Sequence, residues 1–168
     1  MRYFSWLFLI AALLALMAAC GNDSTSEVSE GEGAAQLSAA TLGEQTVLNA
    51  LDYLALKQYS TASGERGARQ AMICKACHSL DNGGPNMLGP ALFGFFGRGV
   101  GEQAGFDYSP AMKEASFIWT PRALDAWLAQ PGRFLPGNRM TFGGVARQQD
   151  RDDLIAYLLT TTVDNSNE

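Results

Sequence analysis

The sequence predicts an all-α domain with long loops, and three observations predict it. Alternating period-2 patterns, the mark of a half-buried strand, are scarce. Two stretches late in the chain read as helices: residues 122–129, and residues 148–160 with Leu154, Ile155, Tyr157 and Leu158 on one broad apolar face. Turn-rich clusters, Asp81-Asn82-Gly83-Gly84-Pro85 and Arg98-Gly99-Val100-Gly101, break up the rest. At 168 residues the chain has room for one domain with extensions.

Met1 and Arg2 give the start of the chain positive charge, and an almost unbroken apolar run follows from Trp6 to Ala19. This pattern reads as a secretory leader over residues 1–19. The run is shorter than the roughly 20 residues a spanning helix needs, which disfavours an uncleaved anchor helix, the competing reading. Leu16-Met17-Ala18-Ala19-Cys20-Gly21 resembles the lipobox of bacterial lipoproteins, in which the cysteine receives a diacylglyceryl group and becomes the new N-terminus. Ordinary cleavage nearby, leaving a free thiol, is the competing reading. Lipid on Cys20 accounts for the third cysteine of the chain, and each acyl CH2 buried in a bilayer adds about 0.8 kcal/mol.

Residues 20–63 read as an acidic, lipid-anchored tether. Up to residue 41 Gly, Ser, Thr, Asn, Asp, Glu and Ala dominate, with no aromatic residue. Low hydrophobicity with net negative charge predicts disorder. As a flexible coil, residues 21–63 would span roughly 35–40 Å. Within them Val47, Leu48, Leu51, Leu54 and Ala55 recur at helical spacing, so an amphipathic helix is expected over 44–59. It is read as packed on the domain behind it, with docking to a partner as the alternative. Lys57 is its one basic residue, against Glu44 and Asp52, which disfavours a membrane-surface helix. Ser60-Thr61-Ala62-Ser63-Gly64 marks the boundary, the domain runs over 64–163, and 164–168 are a tail.

The domain opens with a helix over 65–77 that leads into Cys74-Lys75-Ala76-Cys77-His78. Two thiols three positions apart, followed at once by an imidazole, read as a covalent c-type haem site. The spacing lets both sulfurs reach the two vinyl groups of one porphyrin edge, and the adjacent His78 can ligate iron. A redox dithiol needs no such histidine. A zinc site needs four ligands, and the chain has neither another cysteine pair nor a second histidine. With one histidine present, ligation by two histidines of the chain is impossible. A methionine thioether is then the natural sixth ligand. Met1 and Met17 lie in the leader and Met72 is too near the cysteines, which leaves Met87, Met112 and Met140. Further on, Thr120 suits an N-cap and Pro121 the first helical position, and the helix they open stops before Pro131. So few helices make a thin core, whose missing apolar bulk a buried haem would supply.

Over 64–163 the chain resembles a class I cytochrome c of the mitochondrial and alphaproteobacterial kind. The resemblance rests on Cys74 to His78, Leu88-Gly89-Pro90, Phe96-Gly97-Arg98, Gly105-Phe106-Asp107-Tyr108-Ser109, Trp119-Thr120, Pro136-Gly137-Asn138-Arg139-Met140-Thr141-Phe142, and Asp150-Arg151 through Leu154-Ile155-Ala156-Tyr157-Leu158. It implies the class I cytochrome c fold around one haem c attached through Cys74 and Cys77. It implies that Met140 is the distal ligand opposite His78. It implies that Pro90 orients a carbonyl that accepts from the His78 ring N–H. Arg98, Tyr108, Ser109 and Trp119 would bond or neutralise the haem propionates, which are costly to bury alone. Gly67 and Tyr157 would sit where the first and last helices cross. Two departures stand out. The usual aromatic before the first cysteine is missing from Arg69-Gln70-Ala71-Met72-Ile73, and Trp127 stands where a tyrosine is common near the distal ligand.

Net charge is −5, the sequence pI is about 4.8 and basic clusters are absent, so nucleic acid is not an expected partner. Residues 64–163 hold ten Lys or Arg against nine Asp or Glu, and only Lys75 and Lys113 are lysines. Wide-field steering is therefore weak, and tethering would supply effective concentration instead. The expected protein is a monomeric, non-enzymatic electron carrier on the periplasmic side of a bacterial membrane, the inner membrane favoured. It would exchange electrons with a quinol–cytochrome c oxidoreductase and a terminal oxidase or reaction centre. The alternatives are a haem enzyme or gas sensor with an open sixth site, and a fixed electron-transfer subunit of a larger oxidoreductase.

Overall fold

The computed structural model describes residues 37–163. The leader, Cys20, the first part of the expected tether and the tail 164–168 lie outside them. The described chain holds six α-helices: α1 (Ala50–Leu54), α2 (Gly64–Lys75), α3 (Pro110–Glu114), α4 (Pro121–Ala129), α5 (Pro131–Phe134) and α6 (Gln148–Thr161). Among the described residues, extended pairing is limited to one isolated antiparallel bridge between Gly99 and Ile118. The all-α expectation is met. No helix of the described chain is long and apolar enough to cross a membrane.

Local chemistry sets the helix starts. Ser63 Oγ accepts from Arg66 N at the head of α2, with Glu65 in its first turn and Lys75 in its last, both favourable to the helix dipole. Thr120 Oγ1 accepts from Ala123 N at 3.2 Å, and Pro121 opens α4. The same pairing of hydroxyl cap and proline, Ser109-Pro110, starts α3. Pro131 ends one helix and begins the next, because proline tolerates the first helical position but not the interior. At α6 no side chain caps the backbone, and Arg147 instead pairs with Asp150 in the first turn.

The frame of the domain is α2 packed across α6. A Cβ at Gly67 would lie 2.2 Å from the Asp153 carbonyl oxygen and 2.6 Å from the Tyr157 Cβ, so glycine alone allows the two backbones to approach this far. Gly67 and Tyr157 thus meet at the crossing, as expected. Ala71, in the stretch that lacks the expected aromatic, is fully buried. Around α6 the core gathers Leu154, Ile155, Leu159, Phe134 and Trp127, each such side chain contributing roughly 1.5–3 kcal/mol when fully buried. Aromatic rings meet edge to face in a run from Phe117 to Phe134, Phe134 to Trp127 and Trp127 to Trp119.

The stretch 44–59 corrects the sequence reading. Helix forms only at Ala50–Leu54, followed by a short 3-10 turn at Lys57–Tyr59. Asn49 starts the helix late, its side chain accepting from Asp52 N at 2.8 Å. Before it, side chains tie the backbone in non-helical form: the Tyr53 hydroxyl donates to Thr46 O at 2.9 Å and accepts from Leu48 N at 3.0 Å. The domain also begins earlier than residue 64, because Leu42, Ala50, Tyr53 and Tyr59 are buried in the same core cluster as α6. Residues 37–63 form a strap over the domain rather than free tether.

Asp153 joins strap, α2 and α6. Its fully buried carboxylate accepts from Ser63 N at 2.8 Å, from Arg66 Nε and Nη2 at 2.5 and 2.9 Å, and from Gln149 Nε2 at 3.1 Å. Burial alone would raise its pKa, but Arg66, the Ser63 N–H and Gln149 outweigh it and hold the carboxyl below its usual value. A depressed folded-state pKa contributes stability that is present above the unfolded value, about 3.9, and lost as pH falls through the folded one. Asp153→Asn is expected to lower urea-unfolding stability at neutral pH by on the order of 2 kcal/mol, less than for a fully buried pair because Arg66 is half exposed. The gap to the wild type should begin to shrink near pH 4, where the unfolded carboxyl takes up its proton, and close as pH falls through the depressed native pKa. A gap that is constant with pH would show that the charge of Asp153 is not what stabilises the junction.

Candidate haem site

Cys74 is the penultimate residue of α2, and the chain then folds back on it. Cys77 N and His78 N both donate to Cys74 O, at 3.0 and 2.9 Å. One turn thus presents both thiols and the imidazole. The two cysteines are partly exposed and not paired in a disulfide. Burial pushes the Cys74 thiol up, away from the reactive thiolate of a redox dithiol.

The His78 ring is held in a slot. Its Nδ1 lies 2.7 Å from Pro90 O. A carbonyl only accepts, so Nδ1 carries the proton and Nε2 keeps its lone pair for a metal. Burial lowers the pKa of His78, opposed by the Pro90 carbonyl, and keeps the ring neutral as ligation requires. A Cβ at Gly89 would fall 2.3 Å from His78 Cε1 and 2.8 Å from Nε2. Gly89 N also donates to Cys77 O at 2.8 Å, which fastens this loop to the cysteine turn. Asn86 braces the loop from both sides, accepting from Ala91 N and donating to Ala104 O, each at 2.9 Å. The sequence reading gave neither Gly89 nor Asn86 a role. Gly89 was signalled by its place before Pro90, whereas Asn86 looks like any loop asparagine.

Met140 sits in a loop that is fastened at both ends. Gly137 turns the chain at φ +86. Asn138 donates to Pro131 O and Leu135 O, at 3.0 and 2.8 Å, and accepts from Met140 N at 2.9 Å. Downstream, Val145 N reaches Leu128 O at 2.7 Å. From α6, Arg151 donates to Val145 O and Ala146 O, both at 2.9 Å, and to Asp125 at 2.8 Å. Met140 is partly buried against the core, as is Met112, while Met87 is about half exposed.

Arg98, Tyr108 and Trp119 come together. Trp119 N donates to Arg98 O, and Gly97 N to Trp119 O, both at 2.9 Å. The Arg98 guanidinium contacts Gln103 and donates to Ala91 O at 3.4 Å, close to the His78 slot. Burial lowers its pKa, with Tyr108 and Glu102 opposing. Burial likewise raises that of Tyr108. Among the described residues Arg98 forms no salt bridge and the Trp119 indole N–H has no hydrogen-bond acceptor. A half-buried cation with no acidic partner among the described residues, on a segment bonded through its backbone to Trp119, suits an anionic group. Ser109 is buried and caps α3 by accepting from Met112 N at 3.3 Å, which leaves its own O–H to donate.

No family model matches the chain. Individual relatives do. Over 102 residues it is 34% identical to cytochrome c of Kluyveromyces lactis, an alignment that covers 60% of this chain and 93% of that one. The chain belongs to the cytochrome c family. It is 39% identical over 101 residues to cytochrome c2 of Agrobacterium tumefaciens, covering 58% of this chain and 88% of the relative. It is 45% identical over 103 residues to the cytochrome c homolog of Bradyrhizobium diazoefficiens, covering 61% of this chain and 56% of that longer relative. The cofactor of a cytochrome c is covalent haem c. The donor set fits it: two thiols on one turn, a neutral imidazole with Nε2 free, a thioether on a braced loop, and cationic and N–H donors for carboxylates.

Gly89→Ala in this cytochrome c is expected to reduce the yield of low-spin holoprotein several-fold, because overpacking of this kind costs about 1–3 kcal/mol. Haem staining and an optical spectrum read the outcome. Wild-type yield and spectrum would show that the His78 ring has room to move.

Proposed function

We propose that this cytochrome c is a membrane-tethered one-electron carrier whose haem is held by Cys74, Cys77, His78 and Met140. One observation carries the reading: the 2.7 Å contact of His78 Nδ1 with Pro90 O, which leaves Nε2 as the free donor of a fixed neutral ring. The bracing of Met140 by Asn138 and Arg151 supports a second protein ligand that stays in place. When bound, the haem supplies a ferrous–ferric couple, and a thioether ligand raises its potential. The chain's part is positional. Pro90 orients His78, Asn138 fixes the backbone of Met140, and Arg98, Tyr108, Ser109 and Trp119 meet the propionates.

The names of the relatives, cytochrome c and cytochrome c2, support electron transport as the role. The reading extends to the periplasmic face of a bacterial membrane, with Cys20 carrying the lipid. The donor would be a quinol–cytochrome c oxidoreductase and the acceptor a terminal oxidase or a reaction centre. Scarcity of lysine weakens long-range steering, and an anchor that confines the carrier to the membrane compensates.

Wild-type protein is expected to show a low-spin spectrum that carbon monoxide leaves unchanged. Met140→Ala should retain covalent haem, bind carbon monoxide and shift the ferric–ferrous equilibrium more than tenfold toward ferric, at about 59 mV per tenfold. A variant with the wild-type spectrum would reject Met140 as ligand. Cys20→Ser should abolish incorporation of labelled fatty acid, and label retained on the variant would reject Cys20 as the lipid site.

A further inference from the structure

The strap reaches the residues on either side of Trp119. Gln45 Oε1 accepts from Ile118 N at 2.8 Å, and Gln45 Nε2 donates to Ile118 O at 2.6 Å and to Thr120 Oγ1 at 3.0 Å. Thr120 Oγ1 also caps α4 through Ala123 N. On its other side, the 118–119 segment is bridged to 97–99 through the pairing of Ile118 with Gly99 and the Trp119 bonds to Gly97 and Arg98. A primary amide presents donor and acceptor side by side, as a peptide group does. Gln45 therefore stands in for a third strand at this edge and satisfies backbone groups that would otherwise face water.

Gln45 is itself held. Leu42, three residues before it, is 1% exposed, and Tyr53 ties down Thr46 and Leu48 on the following side. Val47 lies so close to Gly97 that a Cβ there would be 3.3 Å from Val47 Cγ1. The strap thus bears on both of the bridged segments that carry Arg98 and Trp119.

We propose that Gln45 is a positioning residue for Trp119, and that the strap forms the outer wall of the propionate side of the haem pocket. The proposal rests on Trp119 facing a propionate, as in the carrier reading. Fixing the backbone on both sides of Trp119 fixes the direction of its indole N–H. It also keeps water from the propionates, and solvent access at a metal site sets its potential. Loss of the amide lets water in and favours the ferric state.

The test uses the holoprotein with Gln45→Leu, which preserves size and removes all three hydrogen bonds. Amide exchange at Ile118 should accelerate by roughly three- to tenfold, the worth of one net hydrogen bond, and the reduction potential should fall. Gln45→Glu, which keeps the acceptor for Ile118 N and loses the donor, should lie between wild type and Gln45→Leu in amide exchange, the readout its added charge does not itself move. Faster exchange with a wild-type potential would reduce Gln45 to a structural tie and overturn the proposal. Unchanged exchange would overturn it as well. Trp119→Phe separates the two readings. If it leaves the potential at the wild-type value, the propionate contact itself is wrong, and the positioning role falls with it. If it lowers the potential and Gln45→Leu does not, only the positioning role falls.

Discussion

At Gly67 the backbones of α2 and α6 meet with no side chain between them, and both halves of the haem site hang from that crossing. Cys74 is carried at the far end of α2. Arg151, on α6, holds the carbonyls of Val145 and Ala146 and so secures the loop downstream of Met140. The distance between the two sides is thereby set by a backbone contact, which has little freedom to adjust, rather than by long side chains. Asp153 sits in the same contact and adds the strap to it through Ser63 N. A close-packed interior transmits strain instead of absorbing it, so a change at the crossing is felt at the haem.

Beside the charged Arg151, three neutral side-chain amides fasten the loops and the strap. Asn86 spans the Pro90 loop and the segment at Ala104. Asn138 ties Met140 to Pro131 and Leu135. Gln45 ties the strap to Ile118 and Thr120. Each uses both ends of its amide, so irregular backbone is satisfied without ladder hydrogen bonds. Such ties do not titrate. Charged ties stand beside them: Arg151, paired with Asp125 and bonded to the loop after Met140, Asp153 with Arg66, and Arg98 set beside the expected propionates.

The strap adds residues 37–63 to the packing of the haem domain. It contributes Leu42, Tyr53 and Tyr59 to the core while leaving Val47, Leu48, Leu51 and Leu56 exposed. Val47, Leu48 and Leu51, which with Leu54 and Ala55 gave the helical spacing in the sequence, stay exposed on a mostly non-helical segment. Burying Leu42, Tyr53 and Tyr59 stabilises the strap. The ordered chain therefore extends well toward the N-terminus, and less of the expected tether is left to give reach.

The haem attachment was legible in the sequence because its chemistry is local. Cys74, Cys77 and His78 lie within five positions, and one turn of chain suffices to present them. Helix α4 and helix α6 were legible too, since caps and apolar periodicity act within a few residues. Resemblance supplied the candidates Met140, Pro90, Arg98 and Trp119, which are far apart along the chain. Their arrangement depends on contacts that no local pattern encodes. Gly89 matters because the His78 ring fills the space where its side chain would be, and Gln45 because Ile118, more than seventy residues away, presents both backbone groups to it. A helical repeat over 44–59 could not reveal that Asn49, Tyr53 and Gln45 would spend their hydrogen bonds on holding the segment open. Side-chain chemistry at short spacing wrote the cofactor into the sequence. The walls, clamps and close approaches around it follow from long-range packing, where the partner of each group is chosen by the fold.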